Sequence, residues 1–214
     1  TNETLTVTTL AVITTAASAF QICEDQSISI TGSAANAAGY QWLFNGNPIS
    51  APNGTAQNYT KGGALATMSD SGMYRLVALS ANAGATVCKA DTSAPVLGLV
   101  RRKIQITTQP APLTRLCQNA PFNASVIAQN VTSYQWRRNG TPAGFGTGGN
   151  TANYSISSAQ PSQDGIYTVF MTGIGPCPSV TSSNDTLQVT PLATITTPPV
   201  GFLVCEDQSI SITG

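Results

Sequence analysis

Apolar residues along this chain recur mostly at every second position. In Ser27-Ile28-Ser29-Ile30-Thr31 polar and apolar residues alternate, which places Ile28 and Ile30 on one face of a strand. Tyr40, Trp42 and Phe44 share a face in the same way, and Asn45-Gly46 follows as a turn that tolerates positive φ. Tyr74, Leu76 and Ala78 form a further inward row. The closing strands read VLGLV at Val96 to Val100 and TLQV at Thr186 to Val189. No window carries a helical stripe, so the expected fold class is all-β.

The pattern repeats at two scales. CEDQSISITG at Cys23 to Gly32 returns unchanged at Cys205 to Gly214, and TNETLTVTTLAVITT at Thr1 to Thr15 lines up with SNDTLQVTPLATITT at Ser183 to Thr197. Inside that long repeat GYQWLFNG at Gly39 to Gly46 returns as SYQWRRNG at Ser133 to Gly140, and DSGMY at Asp70 to Tyr74 returns as QDGIY at Gln163 to Tyr167. Trp follows Cys at one spacing in both copies, Cys23 to Trp42 and Cys117 to Trp136. The expected organisation is therefore modules of roughly 90 residues, a usual size for a small all-β domain. Residues 1–10 read as the final strand of a preceding module, 11–102 as module 1, 103–191 as module 2 and 192–214 as the first strands of a following module.

Composition narrows the function classes. Nine Lys plus Arg balance nine Asp plus Glu, the formal net charge is zero, and 8% of residues are charged. Such a balance argues against a nucleic-acid partner and against an anionic membrane surface. A surface of Ser, Thr, Asn, Ala and Gly fits an extracellular or cell-surface protein, and 41% apolar residues suffice for one small core per module. No apolar run approaches the ~20 residues of a membrane span, and no signal peptide opens the sequence. No direct membrane insertion is expected of this segment.

A Trp on the third strand, the D-x-G-x-Y corner before a late strand and two Cys per module resemble the immunoglobulin-like sandwich. More closely, the order Cys, alternating strand, YQW, NG, SG-x-Y, Cys and terminal V-x-V strand is similar to the tandem immunoglobulin-like repeats of giant bacterial surface adhesins, among them the gliding-type adhesins exported by the type IX secretion system. The resemblance implies tandem β-sandwich domains in a head-to-tail array, with neighbouring copies of the module as partners through lateral or end-to-end association. It implies no cofactor. In a usual immunoglobulin domain the core disulfide would fall on Leu76 or Val169 and on Ile28 or Ile30, so apolar packing replaces it here. Trp42, Trp136, Tyr74 and Tyr167 complete the expected core.

In the resembled topology Cys23 lies on the order of 20 Å from mid-strand at ~3.3 Å per residue, toward the pole opposite the turn that carries Cys88 or Cys177. A disulfide needs Cα atoms about 4.4–6.8 Å apart. Two pairings stand. One joins Cys23 to Cys177 across the module junction, leaving Cys117 and Cys205 for later modules and Cys88 for an earlier one. The other joins Cys23 to Cys88 and Cys117 to Cys177, with the partner of Cys205 beyond the sequence. Either implies an oxidising compartment.

The remaining chemistry is sparse. With no His there is neither a Ser-His triad nor a His-bearing metal site, and the chain is not expected to be an enzyme. Glu24-Asp25 and Glu206-Asp207 read as polar turns without the D-x-D-x-D-G pattern of a calcium loop. GTGG at Gly146 to Gly149 reads as a strand connection. Trp42 and Trp136 face inward, as core residues rather than sugar platforms. Arg137 and Arg138 read as a solvated strand, and Arg101, Arg102 and Lys103 as a junction contact. Asn-x-Ser/Thr sequons stand at Asn2, Asn53, Asn58, Asn123, Asn130, Asn139, Asn153 and Asn184. Asp185-Thr186-Leu187 fits the O-glycosylation pattern of the resembling bacteria, which makes Thr186 the candidate acceptor. The expected function is a structural stalk or filament-forming segment of a surface adhesin. The alternatives are a glycan- or receptor-binding module that uses Ala51 to Gln57 and Gly144 to Thr151, or an accessory module of a secreted hydrolase.

Overall fold

The computed structural model describes residues 7–81, 89–197, 201, 203–209 and 211. The first module holds β1 (Val12–Thr15), β2 (Phe20–Cys23), β3 (Ser29–Ile30), β4 (Ser33–Ala35), β5 (Ala37–Phe44), β6 (Asn47–Pro48), β7 (Tyr59–Thr60), β8 (Gly72–Ser80), β9 (Asp91–Thr92) and β10 (Val96–Arg101). The second repeats them as β11 (Gln105–Thr108), β12 (Leu113–Cys117), β13 (Phe122–Ser125), β14 (Ile127–Gln129), β15 (Val131–Arg138), β16 (Thr141–Pro142), β17 (Asn153–Ile156), β18 (Gly165–Gly173), β19 (Val180–Thr181) and β20 (Asp185–Thr190). Helical structure among the described residues is confined to three 3-10 turns.

Each module is a sandwich. One layer runs β2-β10-β8-β5-β6 with β9 beside β8, and the other holds the pairs β1-β4 and β3-β7. Module 2 reproduces this order as β12-β20-β18-β15-β16 with β19 on β18, and the pairs β11-β14 and β13-β17. The first strand changes layers partway: β1 pairs antiparallel with β4, then the chain crosses over and β2 pairs parallel with β10. β12 and β20 are parallel in the same way. The sequence pattern did not disclose β2 and β12, because their partners lie at the far end of the module. Of the expected strand at Ser27 to Thr31, only Ser29–Ile30 pairs in a ladder, although Ile28 and Ile30 are both buried.

Two buried clusters fill the sandwiches. One gathers Ile28, Ile30, Trp42, Tyr59, Tyr74, Leu76 and Val100. The other gathers Phe122, Trp136, Tyr154, Tyr167, Val169, Met171 and Leu187. Trp42 and Trp136 have no solvent exposure, and Leu76 and Val169 are equally enclosed where an immunoglobulin core would carry a cysteine. Each indole keeps its N–H satisfied from inside the sandwich: Trp42 Nε1 donates to the Ala56 carbonyl at 3.0 Å and Trp136 Nε1 to the Thr151 carbonyl at 2.9 Å. Tyr74 and Tyr167 form matching corners, their hydroxyls donating to the carbonyls of Asp70 and Gln163, each at 2.9 Å.

The modules differ where β2 or β12 meets the closing strand. In module 1 Gly98 faces Phe20, and a Cβ at Gly98 would overlap the Phe20 and Tyr74 rings. In module 2 the same register pairs Leu187 with Thr114. A large residue on one strand and none on the other becomes a small residue and a Leu. Asp185 then stands where module 1 has Val96, each opposite the corner Tyr.

Candidate functional site at the module junction

β2 ends at Cys23, opposite Arg101, the last residue of β10. The next three residues turn: Gln26 N donates to the Cys23 carbonyl at 3.3 Å, and Asp25 takes φ 67°, a left-handed conformation that Asp and Asn tolerate. Glu24 N donates to the Arg101 carbonyl at 2.8 Å, and the Glu24 carboxylate accepts from Lys103 N at 3.3 Å. The end of β2 and the exit of the module are thereby held together.

The second module brings Cys177 to this place. It follows β18 in a turn closed by Cys177 N donating to the Ile174 carbonyl at 3.1 Å. Cys177 is disulfide-bonded to Cys23, with Cα atoms 4.9 Å apart across a sequence separation of 154. Its sulfur lies 3.4 and 3.3 Å from the Arg101 and Arg102 carbonyls, which are close contacts, since a disulfide sulfur has no proton to donate. The pairing excludes Cys23 with Cys88 and Cys117 with Cys177. The second of those bonds required the Cys177 turn, after the end of β18, to reach Cys117, which lies at the opposite pole beside Thr190. Cys117 and Cys205 are unbonded and exposed; Cys88 lies outside the described residues.

Other contacts gather at the linker. Lys103 forms an ion pair with Asp25, which raises the Lys103 pKa through the Asp25 hydrogen bond and charge. Asn130 Nδ2 donates to the Lys103 carbonyl at 2.9 Å, and Ile104 enters the core of module 2 beside Gly173. Glu24-Asp25 thus forms a polar turn tied to the linker. Among the described residues no group of three His, Cys, Asp or Glu stands close enough to hold a metal ion, and no helix is long and apolar enough to cross a membrane.

The residues considered for recognition lie elsewhere and serve the fold. Ala51 to Gln57 supplies the carbonyls for Trp42 and is held by Gln41 Nε2 donating to the Gly54 carbonyl at 3.4 Å. Gly144 to Thr151 supplies the carbonyl for the Trp136 indole, and Gly149 accepts from Trp136 N at 2.7 Å. Arg137 and Arg138 are half-buried rather than freely solvated. Arg137 lies 4.4 Å from the centre of the Phe170 ring and Arg138 5.0 Å from that of Phe145. Thr186 is half-buried in β20, its N–H donating to the Pro112 carbonyl at 3.2 Å.

One feature that sequence reasoning missed is Asp185. It is fully buried, Thr114 Oγ1 donates to its Oδ1 at 3.0 Å, and its Oδ2 has no partner. Burial raises its pKa, and the Thr114 hydrogen bond only partly offsets this. The sequence signal was an acid in register with the inward-facing Leu187 and Val189 of the closing strand, where module 1 carries Val96.

No known protein-family model matches the chain. No curated protein matches it. Solved structures do. An I-band fragment from titin matches with TM-score 0.58 at 15% identity over 86% of this chain and 67% of the titin fragment. Sidekick-1 immunoglobulin domains 1-4 match with TM-score 0.62 at 14% identity over 84% of this chain and 48% of theirs. The insect immune protein hemolin matches with TM-score 0.58 at 12% identity over 84% and 47%. The chain spans about half the length of the last two structures. At these identities the likeness is one of fold. The chain is a head-to-tail array of immunoglobulin-like β-sandwich modules.

Proposed function

We propose that this chain is a stalk segment of a secreted surface adhesin of the bacterial, repeat-built kind, with a mechanical rather than a catalytic role. The observation that carries the reading is the Cys23–Cys177 bond, which joins two modules and not two sheets of one. It covalently bypasses everything from Glu24 to Pro176. A disulfide also belongs to an oxidising compartment, which supports an extracellular location.

The sheet geometry agrees with this role. Chain enters the larger layer of each module on β2 or β12 and leaves on the parallel neighbour, β10 or β20. Once the Cys23–Cys177 bond is reduced, pulling on the ends slides these strands past each other, so their hydrogen bonds are loaded together in shear instead of opening one at a time. Repetition then sets reach by copy number.

The test is to stretch the chain between handles at its two ends, with and without reductant. The sequence separation of 154 corresponds to roughly 500 Å of extended chain at ~3.3–3.6 Å per residue. That length should stay hidden in the oxidised chain and appear on reduction. Full extension without reductant would overturn the reading.

A further inference from the structure

We infer that Cys117 and Cys205 each form the same bond as Cys23, to modules further along the same chain. Cys117 would meet the cysteine equivalent to Cys88 in the next long repeat, and Cys205 the cysteine equivalent to Cys177. Neither thiol is a lone cysteine in an arbitrary place, because Cys23, in the same setting, is bonded.

The settings match in the backbone of the turn. Cys117 ends β12 opposite Thr190 as Cys23 ends β2 opposite Arg101. Ala120 N donates to the Cys117 carbonyl at 3.1 Å, and Asn119 takes φ 73°, the counterpart of Asp25. Gln118 N donates to the Thr190 carbonyl at 2.8 Å, as Glu24 N does to Arg101. The Gln118 side chain accepts from Leu192 N at 3.3 Å, as Glu24 does from Lys103 N. At the third copy Gln208 N donates to the Cys205 carbonyl at 3.3 Å and Asp207 has φ 71°. The copies differ in side chains, since Ala120 and Asn119 stand where module 1 has Gln26, which accepts from Cys23 N, and Asp25, which pairs with Lys103. They differ also in exposure, Cys23 being buried with its partner in place and Cys117 and Cys205 exposed.

Each bond forms from two thiols with loss of two protons and two electrons, which reduce the disulfide of a thiol–disulfide oxidoreductase to a dithiol. The resulting loops overlap, because the one begun at Cys117 opens inside the first and closes beyond it. The shortest covalent route along the array then leaves one bond at Cys177 and enters the next at Cys205. That stretch is roughly 100 Å when extended at ~3.3–3.6 Å per residue, against several hundred for the whole repeat.

This inference rests on reading the chain as part of a longer array, and it is tested on connectivity rather than on force. The full-length protein from its native source is alkylated, digested without reduction and mapped by mass spectrometry. The expected result is a Cys117 peptide, unalkylated, linked to a peptide bearing the ATVC stretch, and IGPC-bearing peptides linked only to CEDQ-bearing ones. Alkylated Cys117, a Cys117–Cys117 peptide between chains, or Cys117 linked to a CEDQ-bearing peptide each overturns it. In the 214-residue chain by itself, Cys117 should alkylate fully without reductant while Cys23 and Cys177 do not. Protection of Cys117 there would show that its setting is not an open counterpart of Cys23. A correct map with an extensible array would refute the mechanical reading and leave this one standing.

Discussion

The Phe20 ring occupies the space above Gly98, so the two positions are set by each other. Module 2 solves the same problem with Thr114 and Leu187. Gly98→Leu alone should destabilise module 1 by at least about 1–3 kcal/mol through overpacking. The double variant Phe20→Thr, Gly98→Leu should recover most of that loss, a coupling within the ~0.5–3 kcal/mol seen for touching pairs. Urea midpoints of the four proteins check it, and additivity would refute the exchange.

Each module has one tryptophan, which makes each core separately visible. In a Cys177→Ser background, Trp136→Ala should cost about 3–5 kcal/mol in module 2, leaving the Trp42 fluorescence transition of module 1 in place, because the two buried clusters share no residue. A parallel fall in the Trp42 midpoint would mean that the cores unfold as one.

Acid should act on the two modules with opposite sign. Burial would raise the Asp70 pKa, but hydrogen bonds from Lys61 Nζ at 2.6 Å and Thr67 N at 2.7 Å outweigh it and hold it below the ordinary 3.8. Its contribution is present above that value and is lost as pH falls through the lower folded pKa. Asp185 is raised by burial, so its contribution is complete below 3.8 and is lost as pH rises through the folded pKa. Relative to Asp185→Asn, module 2 should gain stability on acidification from neutrality. Relative to Asp70→Asn, module 1 should lose it below about pH 4. Midpoints at stepped pH values, read from the tryptophan of each module, decide both signs.

Cys177→Ser should weaken both modules, although neither buried cluster contains a cysteine. With its sulfur beside Arg101 and Arg102, Cys177 closes each module into a loop against its folded neighbour. The chain-entropy account assigns such closures about 2–4 kcal/mol. Lys103→Ala should leave the midpoints unshifted, since its ion pair with Asp25 is largely exposed. An unshifted Cys177→Ser protein would sink the loop-closure argument.

Much of this was legible because alternation survives wherever one face of a strand is buried. Ile28, Ile30, Trp42, Leu76 and their counterparts announced themselves by period and by repetition. β2 and β12 did not, because a short strand that pairs with the far end of its module leaves no local mark beyond Phe20 and Ile22. Tyr59 and Tyr154, which pack 6.3 and 5.9 Å from the tryptophans, were hidden in short strands among Asn, Ser and Thr. Asp185 was hidden for the opposite reason, since its charge read as surface. The partner of Cys23 needed three dimensions: the resembled topology left two pairings open, Cys177 of the neighbour among them, and the placement of the neighbour's turn beside Cys23 decides for that one.

Closing Cys23 onto Cys177 makes a ring of the residues between them. A protease that nicks one exposed loop within the ring, such as Gly144 to Thr151, separates nothing: both new ends stay attached through the sulfur bridge and through the intact half of the fold. Releasing a piece of the ring then takes a second cut, and parting the flanking chains takes a cut within the ring and a reductant together. Durability of this kind comes from the wiring of the chain and asks nothing more of either core.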